Sequence, residues 1–364
     1  MTKSANRSPP ADRPPPGGKG GASPPTARPE RTRATSYDVA LLAGVSQSAV
    51  SRCFKPGASI SAKMRNRIMA AAKELDYQPN AIARGLITRR SNLVAVLVSA
   101  RVNLYYPEVL FKLTEELSAA DLRVLLFTID NDEHIDLMLG KIWQYQVDGV
   151  ISATNISLKQ YKQIEGRSIP TVMFNRYFPE YPTNVVYCDP TRQTTDLIEQ
   201  LFALVHRRFG IVLGPDSNTV SHERRRIVLE ALGRLGITDV PTAPGDFTYE
   251  SGGEALQILM KAPEPPTAVI CVNDMMALGC IDEARGVLKR TVPGQLSVAS
   301  FDGIGMSQFE AYRLTTIRQP IDRMAAAAVE ILLDRIQQQN LSNERRVFEG
   351  IVIPGETIGP APTA

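Results

Sequence analysis

The stretch GVSQSAVSRCF, Gly44 to Phe54, carries a polar face built from Ser46, Gln47, Ser48, Ser51 and Arg52. A glutamine amide pairs at two points with adenine, and a guanidinium pairs with the O6 and N7 of guanine. Serine hydroxyls serve bases or phosphates. The face is therefore either an ordinary solvated helix surface or one that reads a base sequence. A second set of polar residues sits where apolar runs end: NLYY (Asn103 to Tyr106), FNRY, SHERR, VND and FDG. None of these spacings makes a nucleophile–base pair or a close pair of carboxylates, so no catalysis is expected. Cys53, Cys188, Cys271 and Cys280 contain no CxxC, and His134, His206 and His222 lack metal-ligand spacing. Reduced thiols, with no metal and no cofactor, are the expectation.

These groups need elements to hold them. A chain of 364 residues suggests two or three domains. Residues 1–92 hold 16 Lys+Arg against 5 Asp+Glu, a net of +11, while residues 93–364 hold 25 against 33, a net of −8. A basic head on an acidic body predicts that the head meets a polyanion, and nucleic acid is the usual one. Residues 1–33 are rich in Pro, Gly, Ser and Arg and are expected to be a disordered basic tail. No run is apolar enough to span a membrane, and the first residues lack the apolar core of a signal peptide, so a cytoplasmic, nucleoid-associated protein is expected.

Within residues 34–78, three short helices are predicted. TSYDVALLAG ends at Gly44, Ser46 caps the second helix, and Ser61 caps a third with Met64, Ile68, Ala71, Ala72 and Leu75 on one stripe. The tight turn at Gly44 makes the first pair a helix-turn-helix. Val45, Val50 and Phe54 face that domain's core, and Cys53 joins them. In such pairs the start of the second helix points at base edges. This places Gln47 and Ser48 at the bases and Arg52 one turn on, with Tyr37, Ser46 and Ser51 at phosphates. Residues 79–91 read as a linker containing a short helix from Asn80 to Leu86, marginal by itself in water. From Leu93 onward, NLVAVLVSA, RVLLFTID, VDGVISA, PTVMFN, VVYCD, RRFGIVLG, TAVICVND and LSVASFD are buried parallel strands alternating with helices. Residues 92–356 should thus be an α/β body of two doubly wound parallel-sheet lobes, followed by a tail over 357–364. Ligands bind at the carboxyl ends of such strands.

YDVALLAGVSQSAVSRCF, ISAKMRNRIMAAAKELDYQPNAIARGL, VNDMMALG and LTTIRQP, in that order, resemble the lactose-repressor (LacI) family of bacterial transcription regulators over about residues 35–355. The resemblance implies an all-α helix-turn-helix head on a periplasmic-binding-protein-like body. It implies a homodimer on pseudo-palindromic double-stranded operator DNA, acting as a repressor of a carbohydrate-related operon. Gln47 and Ser48 then set operator preference, and Arg52 matches the family's base-reading arginine. Asn80 begins the hinge helix, small Ala83 lets two such helices approach, and Leu86 matches the leucine that wedges into the minor groove. In the body, Arg224 matches the effector-binding arginine, Asn273 and Asp302 the polar ligand contacts, and Phe247 the aromatic that stacks on the ligand. Asn175 and Arg176 lie at the matching strand exit of the first lobe, and Asn103 and Tyr106 at the family's usual NPFF.

A sugar-like effector follows from that set, and Arg176 with Arg224 also suits a sugar acid or sugar phosphate. Asp274 reads as structural, while Tyr105 and Tyr106 divide between pocket wall and core. The chain departs from the family pattern at NLYY, at Val205 and Ile227 where glycine is common, and at Gly85 in the hinge. No leucine heptad follows residue 345, so a dimer is expected. The alternative is a sugar-binding transport protein without a DNA role, which leaves the basic head unexplained. A dinucleotide enzyme would want GxGxxG where the chain has VSARVNLYY.

Overall fold

The computed structural model describes residues 34–55, 57–79, 90–99, 104–129, 133–216, 218–338 and 342–363. The expected Asn80–Leu86 hinge helix, with Ala83 and Gly85, and also Asn103, lie outside the described residues. The chain forms two compact units that divide after Asn80.

In the first unit α1 (Ser36–Ala43), α2 (Gln47–Cys53) and α3 (Ala62–Glu74) enclose a small core. Thr35 starts α1 with a reciprocal cap: its backbone N–H donates to Asp38 Oδ2 at 2.8 Å, and Asp38 N–H donates back to Thr35 Oγ1 at 3.4 Å. Gly44 ends the helix at φ 60°, where a side chain would be strained and would meet the Arg67 guanidinium. Arg67 donates to the carbonyls of Ala43 and Gly44, which ties α3 to the turn. Val39, Ala40, Ala43, Ala49, Val50, Cys53, Ile68, Ala71 and Ala72 are buried. Val45, Phe54, Met64 and Leu75 are half-buried against them.

The second unit holds two six-stranded sheets. The first has the order β11-β5-β4-β3-β1-β2, from β1 (Leu93–Ser99), β2 (Arg123–Ile129), β3 (Gly149–Ser152), β4 (Thr171–Phe174), β5 (Asn184–Asp189) and β11 (Arg345–Glu349). All its pairings are parallel. The second has the order β12-β10-β9-β8-β6-β7, from β6 (Phe209–Val212), β7 (Thr242–Ala243), β8 (Ala268–Cys271), β9 (Ser297–Asp302), β10 (Thr315–Arg318) and β12 (Ile351–Ile353). It is parallel except for its edge strand β12. The β-branched runs at the centre of both sheets are sealed on both faces.

Helices cover the sheets. They are α4 (Tyr105–Ala119), α5 (Glu133–Tyr145), α6 (Leu158–Glu165), α7 (Thr191–Ala203), α8 (Thr219–Arg234), α9 (Tyr249–Leu259), α10 (Asp274–Gly286) and α11 (Ile321–Gln337), of which α5 and α6 pack against the first sheet. On α4, Tyr105, Val109, Leu113 and Leu117 repeat every fourth residue and are buried, as one helix face requires. The chain passes between lobes at three places: Asp189 to Thr191, Arg318 to Ile321, and Glu349 to Ile351. Thus α11 follows a strand of lobe 2 yet packs into the core of lobe 1, while α7 follows a strand of lobe 1 and packs into lobe 2.

One boundary differs from expectation. The tail expected over 357–364 is packed as far as Ala361. Thr357 is fully buried and its hydroxyl donates to Val298 O at 2.7 Å. Gly359 O accepts from His206 Nε2 at 2.9 Å, and Ala361 N–H donates to Leu204 O at 2.8 Å. Polar groups of lobe 2 that need partners hold this segment down.

Candidate DNA-reading face and effector cleft

On α2, Ala49, Val50 and Cys53 turn inward, while Ser48, Ser51 and Arg52 occupy the opposite stripe and are exposed. Ser46 is the N-cap: its hydroxyl accepts Ala49 N–H at 3.3 Å and lies 3.0 Å from Ser48 Oγ. Gln47 is half-buried, and its Nε2 donates to Ser36 Oγ at 3.3 Å, so one end of the amide is held against α1. Arg52 Nε donates to Ser48 O at 3.4 Å. Tyr37 on α1 is 72% exposed. The face therefore presents hydroxyls, one amide and one guanidinium on a helix start, with an apolar core behind it.

In the body, the C-terminal strand ends bring most of the expected cleft residues together. Arg224 on α8 and Asp302 at the end of β9 are both buried, and Arg224 Nη2 donates to Asp302 Oδ1 at 2.7 Å. Arg224 Nη1 donates to Val272 O at 2.6 Å, and the guanidinium lies over the Phe301 ring at 5.1 Å. Asp302 also accepts from Gln319 Nε2 at 3.2 Å. Gln319 Oε1 in turn accepts from Tyr105 Oη at 2.9 Å and from Asn175 Nδ2. Asn175 Nδ2 also reaches Tyr105 Oη at 2.6 Å, while its Oδ1 accepts Cys188 N–H at 3.0 Å. The result is one largely buried hydrogen-bonded chain, with Asn175 half-buried, from lobe 1 through the crossover at Gln319 to lobe 2. Burial, with Asp302 nearby, pushes the Tyr105 hydroxyl well above its ordinary pKa, so it stays a donor.

Arg176, next to Asn175, is 8% exposed, and its Nη1 donates to Thr219 Oγ1 at 3.0 Å across the cleft. Phe247 lies half-buried with its ring against Gly214, where any side chain would clash. Asn273 is fully buried; its Oδ1 accepts Met276 N–H at 3.0 Å as the N-cap of α10, and its Nδ2 donates to Phe247 O at 3.1 Å. Asn273 thus holds the loop that carries Phe247. Tyr106 is half-buried and meets Tyr105 edge to face at 5.8 Å. Asp274 accepts from the hydroxyls of Ser300 and Thr316 and from Ile304 N–H, and knits lobe 2 together. Burial first, and then Asp302, raise its carboxyl to about 6. Glu108 and Arg318 pair across the lobes at 2.8 Å.

Asn175, Phe247 and Asp302 adopt φ of 56°, 74° and 115°. Non-glycine residues seldom occupy that region. Sequence reasoning singled out those three but missed Gln319 and Thr219. Gln319 stands in LTTIRQP, directly after a strand too rich in threonine to be recognised from apolar runs. Among the described residues, no group of three or more His, Cys, Asp or Glu is placed to hold a metal, and no helix is long and apolar enough to cross a membrane.

A family model described as bacterial regulatory proteins, lacI family, matches residues 35–80, and a periplasmic binding protein-like domain matches residues 198–358. The HTH-type transcriptional repressor CytR of Escherichia coli (strain K12) is 34% identical over 343 residues, covering 91% of this chain and 98% of CytR. The ribose operon repressor of the same strain is 30% identical over 318 residues, covering 86% and 96%. A crystal structure of the lac repressor dimer bound to operator and the anti-inducer ONPF aligns with a TM-score of 0.82 at 24% identity, covering 90% of this chain and 99% of that one. With both domains present in this order and relatives matched along nearly their full length, the chain belongs to the LacI family of bacterial regulatory proteins.

Proposed function

We propose that this protein is a ligand-controlled transcriptional repressor of a carbohydrate-related operon, working as a cytoplasmic homodimer without catalytic activity. The observation that carries the reading is the buried chain Tyr105–Asn175–Gln319–Asp302–Arg224. Polar groups of both lobes meet along it, which supports an effector that bonds to them and biases lobe closure. An effector shifts DNA affinity only by its differential affinity for the two arrangements of the lobes. Residues 79–91 pass the change to the head, with Asn80, Ala83 and Leu86 as the parts that meet the operator. Gln47, Ser48 and Arg52 read base edges, and Tyr37, Ser46 and Ser51 seat phosphates. Arg224, Asp302, Asn175, Arg176, Phe247, Asn273, Asn103 and Tyr106 form the effector site, with a polyhydroxylated ligand covered on its apolar side by Phe247. The names of the relatives, a ribose operon repressor among them, support a sugar-containing effector. The test is a thermal-shift screen of the full chain against sugars, sugar acids and sugar phosphates, with each hit carried into operator gel shifts. A hit that raises the melting temperature of wild type but not of Asp302→Ala, and that alters operator binding, supports the reading. Hits that ignore Asp302 refute the cleft assignment.

A further inference from the structure

We propose that the effector carries an anionic group, a carboxylate or phosphate on its polyhydroxylated frame, and that Arg176 is the residue that selects it. The claim rests on the cleft being the effector site. Its basis is the difference between two buried guanidiniums, Arg176 after β4 and Arg224 on α8. Arg224 is neutralised within the protein: Asp302 takes one amino group at 2.7 Å and the Val272 carbonyl takes the other. Asp302 thus already balances the charge of Arg224. Arg176 is as deeply buried, at 8% exposure, yet its protein partner is the neutral hydroxyl of Thr219. Among the described residues no carboxylate lies within ion-pair distance of it.

Among the described residues, two further charged groups near the cleft are already engaged. Glu108 pairs with Arg318, and Asp274 is enclosed by Ser300, Thr316 and Ile304 N–H. Among the described residues, Arg176 is therefore a buried positive charge whose hydrogen-bond partner is neutral. Buried charges are retained where something pairs with them. A guanidinium presents a planar fork of donors, of which Thr219 occupies one. The remainder suits the parallel oxygens of a carboxylate or phosphate. Arg176 projects from lobe 1 and Thr219 opens α8 of lobe 2, so an anion held there touches both lobes and favours their closure.

The first test needs no knowledge of the effector. Melting of the full chain is followed in inorganic phosphate and in chloride at matched ionic strength, for wild type, Arg176→Gln and Arg52→Ala. Phosphate is expected to raise the wild-type body transition by roughly 2 °C when it is well above its Kd. Arg52→Ala should keep this rise, because the head is not the site, and Arg176→Gln should lose it. Equal behaviour of wild type and Arg176→Gln overturns the proposal. The second test is calorimetric titration with galactose, galacturonate and galactose 6-phosphate, and with glucose, gluconate and glucose 6-phosphate. An anionic member should bind at least about tenfold tighter than its neutral counterpart, with Arg176→Gln erasing the difference and Arg176→Lys restoring part of it. A neutral sugar whose binding is lost in Asp302→Ala but unchanged in Arg176→Gln leaves the cleft as the effector site and removes the anionic claim. Binding that survives both substitutions removes the cleft itself.

Discussion

Arg224 and Asp302 meet at 2.7 Å with side chains only 9% and 4% exposed, and Asp302 does so from a backbone at φ 115°. Two helical turns of α8 and the last residue of β9 are thereby fastened at the cleft floor. Removing either partner leaves the other charge buried without its counterion, a loss of about 3–5 kcal/mol. Arg224→Met and Asp302→Leu should each show that loss in urea unfolding, and the double variant should recover most of it. A double variant as unstable as the sum of the singles would show that the pair does not act as a unit.

Gln319 is the crossover residue through which lobe 1 reaches Asp302. Gln319→Ala leaves the Tyr105 hydroxyl and the Asn175 amide short of a buried acceptor, which costs about 1–3 kcal/mol. Operator binding without effector should stay near wild type, while effector affinity should fall about tenfold or more. Unchanged effector affinity in calorimetry would remove Gln319 from the cleft.

Val205 follows α7 at φ 70° and is 65% exposed. Its N–H donates to Phe202 O at 3.0 Å, and His206 N–H donates to Leu201 O at 3.1 Å, which is the left-handed helix ending that glycine suits. A β-branched residue is strained in that conformation. Val205→Gly should stabilise the body by about 1 kcal/mol, read as a higher urea midpoint. A lower midpoint would contradict the strain.

His206 is fully buried, bonded to Thr267 Oγ1 at 2.8 Å, Ser297 Oγ at 3.1 Å and Gly359 O. Burial lowers its pKa, against a smaller opposite pull from the Gly359 carbonyl. The unfolded chain takes up a proton near pH 6.5 while the folded one resists it, so this stability is present above about pH 6.5 and is lost as pH falls through the lower folded value. Asp274, raised to about 6, acts in the opposite sense, since its folded form accepts a proton first as pH falls. The difference in unfolding free energy between wild type and His206→Gln isolates the histidine. That difference should shrink between pH 7.5 and pH 5.5, by at most about 1.4 kcal/mol per pH unit. A difference independent of pH would show that His206 titrates alike in both states.

Continuous apolar runs made most strands legible, because VAVLV, FGIV and AVIC are sealed on both faces and carry no competing helical period. The last strands hid for the opposite reason. In TTIR the threonine hydroxyls serve Asp274 and Gly355 N–H, RRVFE is a half-exposed edge, and IVI is three residues long. Arg224 and Asp302 were legible as family positions, but their mutual neutralisation was not, since 78 residues separate them. Gln319 gains its role only from where the chain crosses between lobes. Thr357 and Gly359 looked like tail because the partners that hold them, Val298 and His206, lie far back in the chain.

The central claim is that base reading by α2 is under the control of the cleft. The direct measurement is fluorescence anisotropy of the full chain on an operator selected from random DNA, with and without a thermal-shift hit, for wild type, Arg52→Ala and Asp302→Ala. Arg52→Ala should weaken operator binding by about 1–3 kcal/mol while still binding the hit. The hit should change operator affinity about tenfold in wild type and leave Asp302→Ala unmoved. Operator affinity that ignores the hit in wild type, or a response that persists in Asp302→Ala, would contradict the claim.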